Sequence, residues 1–470
     1  MSLSTALNVA ASGLATTQAQ TQIIAENVAN AMNEGYVRRE AVLVTATGGS
    51  ARVGEVRRDV DAALVRMSRA ESGKMAHQQA IYEALDDYTI YLGQPGDGLS
   101  PADKFSSFNT ALTTLVNMPS STEAQSAAVY AAEDLAASIR GASDTLAEVR
   151  ADVDMEIRYE VADLNQALYD LADLNRQMRD FETGTLEAAQ LSDQMDGLLD
   201  QVSEIVGVRV SFTSDNMVNI YTTGGAALLE GTQVQDVSYS AGDGSFYAGT
   251  TEITPGKDGI RGIEEGSLVG LSELKSDILP RFQLQLDEYA RGLIQAFEAA
   301  DASLSVGEAG LFTDNGNAFD AANLDGLAGR LRVNEAIAHD GGSEIWRIRD
   351  GLGATEEGAA AETGQIQAFI DTLGTPVGAD PATGLTATVT VADFAAELVT
   401  AQSSERARAQ TSYSAASSAA ELVQASRQNV EGVNIDDEMQ KLLLIEQSYA
   451  ANSKMLTAVS EMLDTLLAAV

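Results

Sequence analysis

Both ends of this 470-residue chain carry the same device, an apolar stripe whose members alternate in steps of three and four. At the front the stripe is Leu3, Leu7, Ala10, Leu14, Thr17, Thr21, Ile24 and Val28; at the back it is Leu442, Ile445, Tyr449, Asn452, Leu456, Val459, Leu463, Leu466 and Val470. Such spacing puts the apolar side chains on one seam of a helix, and a seam must be covered by a second helix. The chain is thereby constrained to bring its ends together, against each other or against other copies. The alternative is two ordinary core helices of one globular domain. At about 1.5 Å per residue the front helix, up to Ala31, spans roughly 45 Å and the back one, from Ile435, roughly 50 Å. Matched lengths suggest antiparallel pairing. The front helix stops in Asn30-Ala31-Met32-Asn33-Glu34-Gly35-Tyr36, where Asn and Gly tolerate the left-handed conformation that ends a helix.

The interior is helical with two interruptions. Ser100-Pro101-Ala102-Asp103 supplies an N-cap, a proline at the first helical position and an acid at the third, and Ser120 with Glu123 repeats the capping box after Pro119. From Leu135 to Phe181 a helical stripe runs with Gly141 as its one weak point, so Glu123 to Glu182 reads as a rod of about 90 Å. Leu186 to Val206 is a further helix. Val208 to Phe212 and Met217 to Tyr221 alternate like strands and open a β-rich stretch that lasts to Gly266. Leu268 to Ala300 returns to helical period with Pro280 as a kink. Ser303 to Pro381, rich in Gly, Asp and Asn, reads as a second insert anchored by Trp346, before an Ala- and Ser-rich helix from Val391 to Val430. The expected fold class is mainly α with β-rich inserts. Terminal coiled-coil helices (1–37 and 431–470) join a long-helix bundle domain (38–206, 267–302 and 385–430), a β-rich insert (207–266) and a variable outer insert (303–384).

Composition excludes several kinds of chemistry. With 29 Lys and Arg against 69 Asp and Glu the net charge is −40, and six residues are Lys. Nucleic acid, which is gripped through clustered cations, is not an expected partner, nor is an anionic membrane surface. There is no cysteine, and the two histidines, His77 and His339, stand 262 positions apart, which leaves no thiolate site and no HExxH metal site. No phosphate-binding glycine loop is present. Asp314 to Asp320 has Gly316 and Ala318 where a calcium loop needs oxygen ligands, so it reads as a turn. Neither catalytic residue, metal nor cofactor is expected, and the chain reads as a non-enzyme. The first 37 residues lack Lys and Arg, so a cleaved signal with a basic n-region is not expected.

Gly13-Leu14 followed by Asn27-Val28-Ala29-Asn30 and Gly35-Tyr36 resembles the N-terminal signature of bacterial flagellar axial proteins. Val433-Asn434-Ile435-Asp436-Asp437-Glu438-Met439, with Tyr449 and Asn452 in Gln447-Ser448-Tyr449-Ala450-Ala451-Asn452, resembles the closing motif of that family. The long helix, the block Leu191 to Asp200 and Gly266 to Leu271 look like the hook-associated members. The hook protein is largely β outside its ends, and flagellin lacks the signature. The resemblance covers roughly residues 1–300 and 390–470.

It implies an extracellular structural subunit, exported by the flagellar type III apparatus, that assembles at the distal end of the hook to connect hook and filament. The implied partners are other copies in a ring or helical array, the hook protein, a second junction protein on the filament side, and an export chaperone on the C-terminal helix. The implied assembly interface is Leu3, Leu7, Leu14, Ile24 and Val28 with Leu442, Ile445, Tyr449, Leu456, Val459, Leu463 and Leu466. Two other readings remain: another axial protein of hook or rod type, and a secreted surface hydrolase or adhesive module with a convergent polar pocket in one insert.

Overall fold

The computed structural model describes residues 3–33, 35–46, 49–93, 96–257, 260–341 and 344–468; Glu34 of the front turn and Val470 of the back seam lie outside the described residues. In chain order the elements are α1 (Leu3–Ala29), β1 (Arg39–Thr45), β2 (Ala51–Arg58), α2 (Ala62–Leu92), α3 (Pro101–Asn117), α4 (Thr122–Met178) and α5 (Leu186–Ile205). A run of short strands follows: β3 (Val208–Phe212), β4 (Val218–Thr222), β5 (Ala227–Glu230), β6 (Gln233–Val234), β7 (Val237–Ser240), β8 (Ser245–Ala248) and β9 (Thr251–Glu252). Then come α6 (Ser267–Glu273), a π turn (Leu274–Ile278), α7 (Leu279–Ala300), β10 (Phe312–Asp314), α8 (Leu327–Arg330), β11 (Leu331–Val333), α9 (Arg347–Asp350) and α10 (Gly364–Leu373). The chain closes through β12 (Pro376–Gly378), β13 (Thr388–Thr390), α11 (Val391–Glu431) and α12 (Ile435–Ala468). It is mainly helical with small sheets, as the apolar periodicity predicts.

Local chemistry explains where the helices begin and break. Ser100 caps α3, its Oγ accepting from Asp103 N at 3.2 Å, with Pro101 at the first position. At α4 the cap is Ser121, not Ser120: the helix begins at Thr122, so the oxygen that reaches Ala124 N, at 3.2 Å, belongs to the residue just before it. The interruption at Pro280 takes the form of a π turn over Leu274–Ile278, consistent with a ring that has no N–H to donate to the preceding turn. No strand is read from the sequence over 38–60, yet β1 and β2 form an antiparallel hairpin there, with a register shift between Val42 and Leu43.

Two compact units emerge: Met1–His77, Tyr159–Val269 and Ser414–Val470 make the first, and Gln78–Arg158 with Gly270–Tyr413 the second. In the first unit, α1 packs against α12 on one side and the β1–β2 hairpin on another. Antiparallel sheets of order β3-β4-β5-β6 and β7-β8-β9 follow α5. Two asparagines of α4 fasten them. Asn175 donates to Val218 O (2.8 Å) and Gly231 O (2.6 Å) and accepts from Val218 N (2.8 Å); Asn165 exchanges a 2.8 Å pair with Val237. Each amide thus satisfies strand backbone that would otherwise be buried unpaired.

The second unit gathers four phenylalanines into one cluster. Phe297 lies 5.7 Å from Phe108, 5.1 Å from Phe312 and 5.4 Å from Phe369, ring centre to ring centre. Residues 303–384 contribute to this core through Leu311, Phe312, Ile366 and Phe369, all fully buried. Trp346 does not anchor it: the indole is half-buried beneath Arg347, while Ile348 and Arg349 on the next turn are buried. His339 docks on α4, stacked on Tyr130 and within hydrogen-bond distance of Ser126 Oγ (2.9 Å) and Glu133 Oε2 (3.0 Å).

Candidate functional site: the joined terminal helices

The residues singled out at the two ends of the sequence meet in the first unit. Asn27 is fully buried and uses its whole amide. Its Nδ2 donates to Arg39 O (2.9 Å) and to Glu438 Oε2 (3.0 Å), and its Oδ1 accepts from Tyr36 OH (2.9 Å) and Arg39 N (3.1 Å). One side chain therefore ties α1 to the chain that follows it and to α12. Asn30 Nδ2 donates to Glu26 O (2.8 Å) and so covers a carbonyl at the helix end. Gly35 has φ +81°, the left-handed conformation that returns the chain for Tyr36 to reach back. Burial, partly offset by Arg39 and reinforced by Asp193, Glu26 and Glu438, pushes the Tyr36 phenol up to about 12, so it stays protonated as a donor. At the other end Asn434 caps α12, its Oδ1 accepting from Asp436 N (3.0 Å) and Asp437 N (3.3 Å). Asp436 then sits in the first turn, where the helix dipole favours an acid.

Along the seam, the pairing is antiparallel: Asn27 meets Glu438 and Gly13 faces Asn452. A Cβ at position 13 would lie 2.6 Å from Asn452 Nδ2, so the glycine admits the polar member of the back stripe. The seam residues do not share one fate. Ile24 and Val459 are buried; Leu3, Leu7, Leu14, Val28, Leu442, Ile445, Leu456 and Leu463 are half-buried; Tyr449 and Leu466 are exposed. Ala29 is exposed at the end of α1. Beside the seam on α12, Leu444, Met455 and Met462 stay open and run on to the seam's own Leu466, making a stripe whose members are each more than half exposed.

Sequence reading missed an alternating ladder of charges beside this pair. Asp193, Asp196 and Asp200 share one face of α5, and each carboxylate is gripped by two arginines. Asp193 binds Arg39 and, at 2.7 Å, Arg58; Asp196 binds Arg58 (2.5 Å) and Arg69 (2.9 Å); Asp200 binds Arg69 (2.6 Å) and Arg427 (2.8 Å). Glu26 on Arg39 (3.0 Å) and Glu431 on Arg427 (2.8 Å) close its ends. Arg39 and Arg58 stand directly opposite each other across the hairpin. Such a like-charge pair is unfavourable, and Asp193 bridges it. Burial works to raise the Asp196 carboxyl, but the charges and hydrogen bonds of Arg58 and Arg69 outweigh it and hold the group below the usual carboxylate range. Buried ion pairs add little net stability over apolar packing, while removing one partner costs about 3–5 kcal/mol. The ladder therefore acts chiefly to fix where α1, the hairpin, α2 and α11 stand against α5. The signal available was the i, i+3, i+7 spacing of the three acids, hidden among 69 acids.

Residues 90–306 match the model of the flagellar hook-associated protein FlgK helical domain, and residues 424–469 match that of the flagellar basal body rod FlgEFG protein C-terminal region. Flagellar hook-associated protein 1 of Salmonella typhimurium is 26% identical over 314 residues, covering 63% of this chain and 56% of the relative. The chain thus spans about half the length of the enterobacterial relatives it matches. Flagellar hook-associated protein 1 of Bacillus subtilis is 24% identical over 508 residues, covering 98% of this chain and 97% of the relative. Among solved structures, the flagellar hook junction protein FlgK from Burkholderia pseudomallei aligns with a TM-score of 0.43 at 20% identity, over 53% of this chain and 46% of that one.

Proposed function

We infer from its membership of the flagellar hook-associated protein family that this chain is a structural junction subunit of the bacterial flagellum, seated at the distal end of the hook and connecting hook to filament. The observation that carries this reading is the joined terminal helices. Their motif residues serve to knit the two chain ends into one pair, and that pair leaves Leu444, Met455, Met462 and Leu466 of α12 uncovered. An apolar stripe on a helix that already has a partner is the surface on which further helices assemble. The helical content of residues 100–205, in α3, α4 and α5, supports the hook-associated reading over a hook-type one.

In this account the chain works without catalysis or cofactor. It leaves the cell through the flagellar type III apparatus and meets copies of itself, the hook protein below and a second junction protein above. Before export a chaperone holds α12 in the place α1 later takes, because an amphipathic helix with an open stripe is a groove ligand. The open stripe, with the exposed seam residue Tyr449 beside it, forms the assembly surface, while Ile24 and Val459 hold the pair itself together. Among the described residues no helix is long and apolar enough to cross a membrane.

The absence of cysteine gives a direct test. A single exposed position, such as Val306→Cys, labelled with a maleimide dye on intact cells should mark one point at the base of each filament. Label spread along filaments, or confined to the cytoplasm, would overturn the reading.

A further inference from the structure

In the first unit, β2, the start of α2, α5 and the β3–β4 hairpin enclose a groove of about 420 Å³. Its apolar lining includes Val60, Val65, Met195 and Phe212, and Phe212 is 59% exposed. Its charged lining is Arg57, Arg58, Arg66 and Arg69 against Glu55 and Asp196, four minus two, a balance of +2 in a chain of −40. Arg58 and Arg69 are held by Asp196, and Arg57 reaches Glu40 at 3.3 Å. Arg66 is exposed, with no hydrogen-bond or ion-pair partner among the described residues.

Copies that each carry −40 repel one another, so contact between them must set cations against acids locally. A free arginine beside an exposed phenyl ring suits a carboxylate next to an aromatic ring. The same unit presents that chemistry on α4. Tyr159 is 61% exposed, Asp163 is exposed four residues on, and neither has a partner among the described residues. Tyr159 to Asp170 contains three acids and no Lys or Arg. We propose that the groove receives this face of α4 from a second copy, with Arg66 pairing with Asp163 and Tyr159 covering Phe212. The contact is heterologous, one surface against a different one, and so propagates from copy to copy. It rests on the junction reading for copies standing side by side.

In the cysteine-free full chain, Arg66→Cys combined with Asp163→Cys should give a ladder of covalent multimers when isolated hooks are oxidised, and each single variant only monomer. Independently, Arg66→Glu should reduce the fraction of hooks bearing filaments about tenfold, and adding Asp163→Arg should restore it. Absence of the ladder from hooks that hold filaments, or failure of the charge swap to restore them, overturns the groove while leaving the junction reading in place. Normal filaments in cells lacking the chain would instead remove the junction reading itself.

Discussion

The Asn27 amide is the smallest feature on which the first unit depends, because its four bonds satisfy the buried Glu438 carboxylate and both backbone groups of Arg39. Asn27→Ala should destabilise the first unit by roughly 3 kcal/mol, since it strips a partner from Glu438 Oε2 and from both backbone groups of Arg39 while Lys441 keeps the other oxygen of Glu438, and a buried polar group left unsatisfied costs more than its bond contributed. Thermal unfolding of the purified chain measures this, and a change within experimental scatter would contradict it. Gly35 and Asn434 are legible in sequence for a physical reason, since each serves a local backbone need, a turn or a helix end; Asn27 and Tyr36 stand out only through the motif they belong to, and their bonds to Glu438 and to each other appear only in the fold. Arg39 is not legible, because its role arises only when distant Asp193 arrives.

Elements show the same divide. The heptad stripes place α1 and α12 correctly, since a seam is encoded along one helix, but they do not tell which members a neighbouring helix of the same chain already covers. That distinction predicts different outcomes for two residues treated alike at the level of pattern. Leu466→Asp alters an exposed position and should leave unfolding unchanged within about 0.5 kcal/mol, yet abolish filament attachment; Leu463→Asp, at a half-buried position of α12, should also loosen the terminal pair. Hydrogen exchange over α1 separates them, and equal protection in both variants would sink the argument. The hairpin and the ladder escaped notice because pairing across elements has no periodicity within one.

On α5 the ladder predicts a pH effect with a definite sign. The Asp196 carboxyl lies below its ordinary value in the folded chain, so its contribution is fully present above the unfolded value, about 4, and is lost as pH falls through the folded one. Asp196→Asn should therefore be less stable than the parent at neutral pH, with the gap closing in acid. A gap that stays constant from pH 7 to pH 3 would show that the carboxylate charge is not what holds Arg58 and Arg69.

At the scale of the molecule, the division is between a first unit that brings both chain ends together and a second with its own aromatic core. The proposed assembly rests on the first unit, whose paired termini leave the apolar stripe of α12 open to neighbouring helices. The most direct measurement is electron microscopy of a strain lacking the chain, with its culture medium assayed for filament subunits. The account predicts complete hooks that bear no filaments, together with filament subunits free in the medium. Filaments of normal number and length on those hooks would contradict it.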